Sequence, residues 1–332
     1  MTNSPTHYDV FNGDADGICA LIQLRNSEPR EATLITGVKR DISLLKQVDA
    51  QAGDKVTALD ISMDKNSDDL QRLLRSKAEV FYVDHHFPGN IPNHEGLTAI
   101  INEAADTCTS ILVNTHLKGE FALWAITGAF GDNLKKSARA LAAQQDIDEE
   151  EIQLLEKLGI YINYNGYGSD LTDLHFTPTE LYQKLVAFPN PLDFIRGHGQ
   201  TGADNNNNDF EKLETGYQQD MAAAAALRPH VATQVSAVFV LPNEKWARRV
   251  SGVYSNDLAN QNPDRAHAVL TQKANGNYLV SVRAPINNKT GAVDLCRQFP
   301  TGGGRAAAAG INDLPVEMFE AFAAALEAAY AR

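Results

Sequence analysis

In the first hundred residues short apolar runs keep alternating with stretches of helical periodicity, and this alternation restricts the fold more than any other property of the chain. Tyr8-Asp9-Val10-Phe11 reads as a strand and Gly17 to Leu24 as the helix that follows. Ala32 to Thr36, Lys55 to Leu59 and Val80 to Val83 read as further strands, with crossover helices expected over Leu44 to Val48 and Leu70 to Leu74. Strands alternating with helices imply βαβ units and a parallel sheet. In such sheets the chemistry gathers at the carboxyl ends of the strands. From about Thr109 to Val186 the pattern turns helical, with a strongly apolar helix over Phe121 to Phe130 and an amphipathic one over Glu149 to Leu158.

A polar, low-complexity break follows over Gly202 to Asp209, and then a connecting helix over Phe210 to Leu227. Strands are expected again over Val235 to Leu241, Ala268 to Gln272 and Tyr278 to Val282, with a closing helix over Val316 to Tyr330. At 332 residues the chain is long for one core, and two domains are the natural expectation. The expected fold class is therefore α/β with two domains: a parallel-sheet domain over residues 1–190, a linker and connecting helix over 191–230, and a smaller α/β domain over 231–332.

Composition excludes several functions. A formal net charge of −13 argues against a surface built to grip long nucleic acid, which ordinarily carries a basic stripe to neutralise phosphates. A small anion is still compatible, because a bound metal inverts the local field. The three cysteines, Cys19, Cys108 and Cys296, are scattered and form no CxxC pair, so neither a disulfide framework nor a zinc ribbon is expected. The amino-terminal residues lack a basic region followed by an apolar stretch, and no apolar run approaches the ~20 residues needed to span a bilayer. A soluble, cytoplasmic protein is the expectation, without a membrane partner.

Four short motifs carry the chemistry: Asp14-Ala15-Asp16-Gly17, Asp60, Asp84-His85-His86 and Asp132. Asp14, Asp60 and Asp84 each come just after or at the end of a strand candidate, and Asp132 follows the apolar helix. Five carboxylates and two imidazoles delivered to one edge make a donor set for two divalent metals. Mostly oxygen donors with an imidazole suit manganese or magnesium and favour phosphoryl chemistry. Taken singly, Asp-x-Asp-Gly is equally a capped helix start. Asp-His-His at a strand end is much rarer, and the ordered set decides for metal.

That ordered set resembles the DHH phosphoesterase family, named for this Asp-His-His triplet. The run Gly302-Gly303-Gly304-Arg305-Ala306-Ala307-Ala308-Ala309-Gly310 resembles the glycine-rich signature of the DHH-associated C-terminal domain, so the likeness extends over nearly the whole chain. It implies two α/β domains facing each other across a cleft and two divalent cations, manganese first and magnesium second. It further implies that Asp14 ligates the first metal, and that Asp16, His85 and Asp132 ligate the second. Asp60 would bridge both, Asp84 would orient a neighbouring histidine, and His86 would touch the scissile phosphate. Many members carry a histidine four residues before the first aspartate, where Val10 stands here. Asn12, two residues before it, offers only a neutral amide oxygen in compensation.

The glycine run departs as well, with Arg305 where a histidine is common. Consecutive glycines let backbone N–H groups approach an anion, and arginine adds a fork for phosphate or a guanine edge. Arg283, at the end of the preceding strand, would be a second anion contact beside Gly302, Gly303, Gly304 and Arg305. Gly37 to Arg40 offers further positive charge, either for a terminal phosphate or as a solvated turn. The expected reaction is hydrolysis of a short linear dinucleotide, pGpG foremost, to nucleoside monophosphates. Open alternatives are a broad oligoribonuclease or phosphoadenosine phosphate phosphatase, a cyclic dinucleotide phosphodiesterase, an exopolyphosphatase, and a nucleotide-binding regulator with a weak metal site. The expected partners are a small nucleotide and, left open, a second copy of the chain.

Overall fold

The computed structural model describes residues 5–197 and 208–331, and the chain divides into two compact units that meet in sequence at Glu214 and Thr215. In the first unit β1 (His7–Phe11), β2 (Thr33–Ile35), β3 (Lys55–Leu59), β4 (Glu79–Asp84) and β5 (Leu97–Ile101) form one sheet in the order β2-β1-β3-β4-β5. Every neighbouring pair is parallel. Phe11 pairs with Leu59 and Leu59 with Val83, so β1, β3 and β4 end level. That register sets Asn12, Asp60 and Asp84 side by side at one edge.

Both faces of the sheet are covered, as a parallel sheet requires. On one face Val10, Val56, Ala58, Val80 and Tyr82 pack with Leu70, Leu73 and Leu74 of α2 (Ser67–Arg75). The other carries α1 (Ala15–Ser27), which is buried from Ala15 to Arg25. Its buried polar side chains, Asp16, Gln23 and Arg25, all find partners, and each buried Ile or Leu of α1 contributes about 1.5–3 kcal/mol. Against α1 lie α3 (Thr109–His116), α4 (Ala122–Gly131), α6 (Glu149–Gly166) and α7 (Pro178–Leu185), while α5 (Lys135–Ala142) packs on α4 and α8 (Pro191–Arg196) on α4 and α6.

The helices come unusually close at two glycines. A Cβ on Gly131 would sit 2.3 Å from the side-chain methyl of Ala15, and one on Gly159 would sit 2.2 Å from the Thr127 carbonyl oxygen. Only glycine lets α4 press against α1 and α6 at this point, and the press brings the end of α4, with Asp132, to the same edge as the strand ends.

The second unit begins within α9 (Asn208–Ala225) and contains β6 (Val231–Ala232), β7 (Ser236–Leu241), α10 (Lys245–Gln261), β8 (Ala266–Gln272), β9 (Tyr278–Arg283), α11 (Ala292–Cys296), β10 (Gly302–Gly304), β11 (Ala308–Leu314) and α12 (Phe319–Tyr330). Its sheet has the order β10-β11-β9-β8-β7-β6, with β7 and β8 parallel and the other pairs antiparallel. Val238, Leu270, Val280 and Ile311 share a core with Leu295 of α11 and with Phe322 and Leu326 of α12.

Some sequence expectations are corrected. Leu44 to Val48 is not a crossover helix but a single 3₁₀ turn over Leu45–Gln47. The Asn66 side chain accepts from the Leu45 N–H at 3.1 Å and donates to the Ile42 carbonyl at 2.6 Å, tying the segment down without a helical ladder. The strand β5 and the helix α10 were not anticipated. Within the glycine run Gly302 to Gly304 pair with Ile311 to Ala309 as an edge strand, and Arg305 to Ala307 form the hairpin turn. Of the expected polar break, 202–207 lies outside the described residues.

Candidate metal centre

Backbone geometry places each acidic side chain. Asn12 leaves β1 with its N–H on the Leu59 carbonyl at 3.1 Å. Two residues on, the Asp14 carboxylate caps α1, accepting from the Asp16 and Gly17 N–H groups at 3.1 Å each. A Cβ on Gly17 would meet the Asn12 carbonyl oxygen at 2.3 Å. The glycine therefore admits the close approach of the chain's own backbone.

Asp60 holds a left-handed φ of 57°, with its N–H on the Val83 carbonyl at 3.1 Å. Aspartate tolerates this region better than most residues but still at a cost of about 1 kcal/mol. Such strain gathers at functional positions. The conformation turns the carboxylate into the cluster, where Oδ1 accepts from the Thr109 hydroxyl at 3.2 Å.

His85 is the hub. Its Nε2 lies 3.4 Å from Asp60 Oδ1, 3.8 Å from Asp132 Oδ2 and 3.9 Å from Asp16 Oδ2. The next histidine does different work. His86 Nδ1 is 2.7 Å from Asp84 Oδ1, which fixes the ring and leaves Nε2 for another partner. The second oxygen of Asp84 is buried without a partner. Asp60, His85 and His86 also offer donor atoms within 4.8 Å of one another, but the nitrogen of His86 on that side is already engaged by Asp84.

Electrostatics show that the cluster is short of positive charge. Burial, then the neighbouring Asp14 and Asp16, pushes the Asp60 carboxyl well above the usual carboxylate range. Burial opposes ionisation of Asp14 as well, but the charge and hydrogen bond of Lys39 and the Gly17 N–H hold it below that range. For His86 burial works against the charge, and the Asp84 hydrogen bond with the Asp60 charge raises its pKa nonetheless.

A divalent cation fits the His85 side. With ligands at about 2.1 Å, donor atoms around an octahedral ion are about 3.0 Å apart when adjacent and about 4.2 Å when opposite. The 3.4–3.9 Å separations between His85 Nε2 and the oxygens of Asp16, Asp60 and Asp132 fall inside that span. The Asp14 side fits less well. Val10 is fully buried and apolar, the Asn12 amide nitrogen donates to the Lys39 carbonyl at 3.3 Å, and Asp14 is paired with Lys39. The Asn12 amide oxygen, buried and without a partner, is the one neutral donor left there among the described residues.

Three contributors were not foreseen. Lys39, expected to offer charge to a phosphate or to solvent, instead turns inward onto Asp14. Thr109 and Ser110 at the start of α3 donate their N–H groups to the two oxygens of Asp16 at 2.7 Å each. The clue was Cys108, an N-cap residue without a capping side chain: a helix start without its own cap needs an outside acceptor. A separate cavity of about 980 Å³, lined among others by Arg30, Lys55, Lys77 and His94, contains none of the cluster and adjoins the opposite, amino ends of β3 and β4.

In the second unit the Arg283 guanidinium donates to the Asn256 side chain at 2.7 Å and to the Val282 carbonyl at 3.2 Å. Arg305 stands exposed in the hairpin turn, its backbone N–H on the Ala308 carbonyl at 2.9 Å. The glycines divide. A Cβ on Gly302 would lie 1.8 Å from the Cys296 carbonyl oxygen, whereas one on Gly303 would meet nothing within 4 Å.

No protein-family model and no curated protein matches the chain by sequence. Solved structures do match it over nearly its full length. A DHH-domain protein described as belonging to a family of ribosomal proteins superposes with a TM-score of 0.67 at 12% identity, over 98% of this chain and 86% of that one. The fold is that of the DHH-domain proteins. RecJ in complex with Mn²⁺ from Thermus thermophilus gives 0.64 at 17% identity, over 97% of this chain and 51% of its own. A pGpG-specific phosphodiesterase, PggH of Vibrio cholerae, gives 0.54 at 17% identity, over 96% and 97%. In this DHH-fold chain the Asp84-His85-His86 triplet closes β4, at the level edge that the sheet register creates.

Proposed function

We propose that the chain is a divalent-metal-dependent phosphodiesterase acting on short linear nucleotides, with pGpG as the favoured substrate. The observation that carries this reading is the His85 hub: one imidazole nitrogen facing three carboxylates at the level edge of a parallel sheet, with a second, carboxylate-oriented imidazole beside it. Manganese suits this donor set, with magnesium as the alternative. Bound there, a divalent cation would supply Lewis-acid charge at a phosphoryl oxygen and ease ionisation of the attacking water.

The chain's own residues do the rest. Asp16, Asp60, His85 and Asp132 would hold the cation. Asp84 fixes His86 through Nδ1, so that Nε2–H can donate to a phosphate oxygen as charge builds there. His86 remains about one-third exposed, which leaves that donor open to substrate. The likeness to RecJ and PggH supports phosphodiester chemistry, and the exposed Arg305 fork supports reading of guanine or of a terminal phosphate by the second unit. Gly303 leaves backbone open beside it. The acidic surface favours a small substrate over a polymer.

The test is turnover with manganese on pGpG, pApA, cyclic di-GMP, cyclic di-AMP, phosphoadenosine phosphate, polyphosphate and a longer RNA. Selective cleavage of pGpG is expected, and Arg305→Ala should narrow the preference for pGpG over pApA by about tenfold, the value of one lost bidentate base contact. Equal rates across the panel would replace the dinucleotide reading with a scavenging one. Nucleotide affinity without turnover at any manganese concentration would leave a binding protein.

A further inference from the structure

The donor set reads as one for two cations, yet one of the two places is filled by the chain itself. We infer that the Lys39 ammonium stands where a second metal ion would sit, so that the centre takes a single divalent cation beside a built-in positive charge. Lys39 Nζ is paired with Asp14 Oδ2, donates to Asn163 Oδ1 at 2.8 Å, lies 3.7 Å from Asp132 Oδ1 and sits 5.3 Å from the centre of the Tyr167 ring. Two carboxylates, an amide oxygen and an aromatic face are a cation's surroundings, and the lysine supplies the cation.

The placement is fixed from several directions. The Lys39 N–H donates to the Gly166 carbonyl at the end of α6 at 2.9 Å. Its carbonyl accepts from the Asn12 side chain at 3.3 Å. A Cβ on Gly166 would come within 3.0 Å of the Gly13 carbonyl oxygen, so α6 is pressed against the turn that carries Asp14. The lysine is thus held at its backbone by α6 and at its tip by Asp14 and Asn163.

Asp14 has little left to give a metal. Its Oδ1 already accepts two backbone N–H groups and its Oδ2 takes the ammonium. A dication placed here would have to share that oxygen with a lysine, while Val10 contributes no donor atom. An ammonium cannot act as a Lewis acid, but its three donors can neutralise a carboxylate or hold a phosphate oxygen. One side of the centre is therefore open to exchangeable metal, and the other carries a charge that chelators cannot remove.

This rests on the metal-dependent reading for its catalytic consequence alone; the stoichiometry stands by itself. The experiment is Mn²⁺ binding to the full chain by equilibrium dialysis, with electron paramagnetic resonance of the same samples. One Mn²⁺ per chain is expected, with the six-line spectrum of an isolated ion. Lys39→Met should raise the stoichiometry to two and produce a spin-coupled pair, whereas Lys39→Arg should keep it at one. Two coupled ions in the wild-type protein would overturn the inference, and so would no binding at all. The wild-type result decides even if Lys39→Met fails to fold. One ion bound without turnover of any substrate would leave the inference standing and sink the phosphodiesterase reading, and two ions with turnover would do the reverse.

Discussion

The two units bury polar side chains on opposite terms. In the first, Asp14, Asp16, Asp60, Asp84 and His85 are all buried around one spot, Asp60 in a left-handed conformation and Asp84 with an unpaired oxygen. In the second, the buried polar side chains are hydroxyls and a neutral histidine, and Asp220 is matched by Arg249 at 2.8 Å. Both units bury comparable apolar cores, so the difference is not in how they fold. One has gathered charge that its own residues do not balance. Such charge destabilises a fold unless a ligand neutralises it, and its position marks where the ligand belongs.

The largest effect that can break this comparison is at Asp60. Asp60→Asn keeps the shape, tolerates the same φ and removes one negative charge. Phosphodiesterase activity should fall by about 10³-fold or more, as for loss of a group acting on the transition state. In a chelator, thermal unfolding should show the variant more stable than wild type by about 1 kcal/mol, the usual gain when a functional strain is removed. A less stable variant under those conditions would mean that the carboxylates are balanced after all.

A smaller effect belongs to the second unit, where shape and not charge is at stake. Gly302→Ala should destabilise the chain by about 1–3 kcal/mol, because a Cβ there collides with backbone, while Gly303→Ala should stay within about 0.5 kcal/mol. Urea unfolding of both variants checks the contrast. Equal costs would show that the glycine run is uniform and that Gly303 is not kept for an approaching ligand.

The smallest effect is a pH dependence. Burial, then Arg265, lowers the His267 pKa to about 4 from its ordinary 6.5, and Arg283 lies opposite it across the strand pair. Since the folded value lies below the unfolded one, His267 contributes fully above pH 6.5, and that contribution is lost as pH falls towards 4. After allowance for solvent screening the loss is about 1 kcal/mol. His267→Gln should flatten the difference in unfolding midpoint between about pH 7 and about pH 4.5 by that amount, and an unchanged difference would assign the acid sensitivity to the carboxylates of the first unit.

Legibility followed the distance over which each decision is made. The placement of Asp14, Asp60, Asp84 and His85 at one edge could be read directly, because each sits at the end of a strand or the start of a helix whose apolar pattern is local. Asp132 was readable for the same reason at the end of α4. The inward turn of Lys39 was not, because it depends on Gly166 and on Asn163, 124 residues away in α6. The strand β5 carries little burial to announce it, and the Gly302–Gly304 strand carries no side chains at all. Residues whose role is set by what approaches them from elsewhere leave no periodicity to find.

Asp16 carries a consequence of its own. One carboxylate group both closes the uncapped start of α3 and faces His85 across the proposed cation position. The helix terminus and the proposed ion site therefore meet on Oδ2, while Oδ1 serves the helix alone. Any screen that sorts positions into those that keep the protein alive and those that make it work will find Asp16 in both bins. Laboratory evolution could relocate the chemistry of this edge only after first giving α3 a cap of its own.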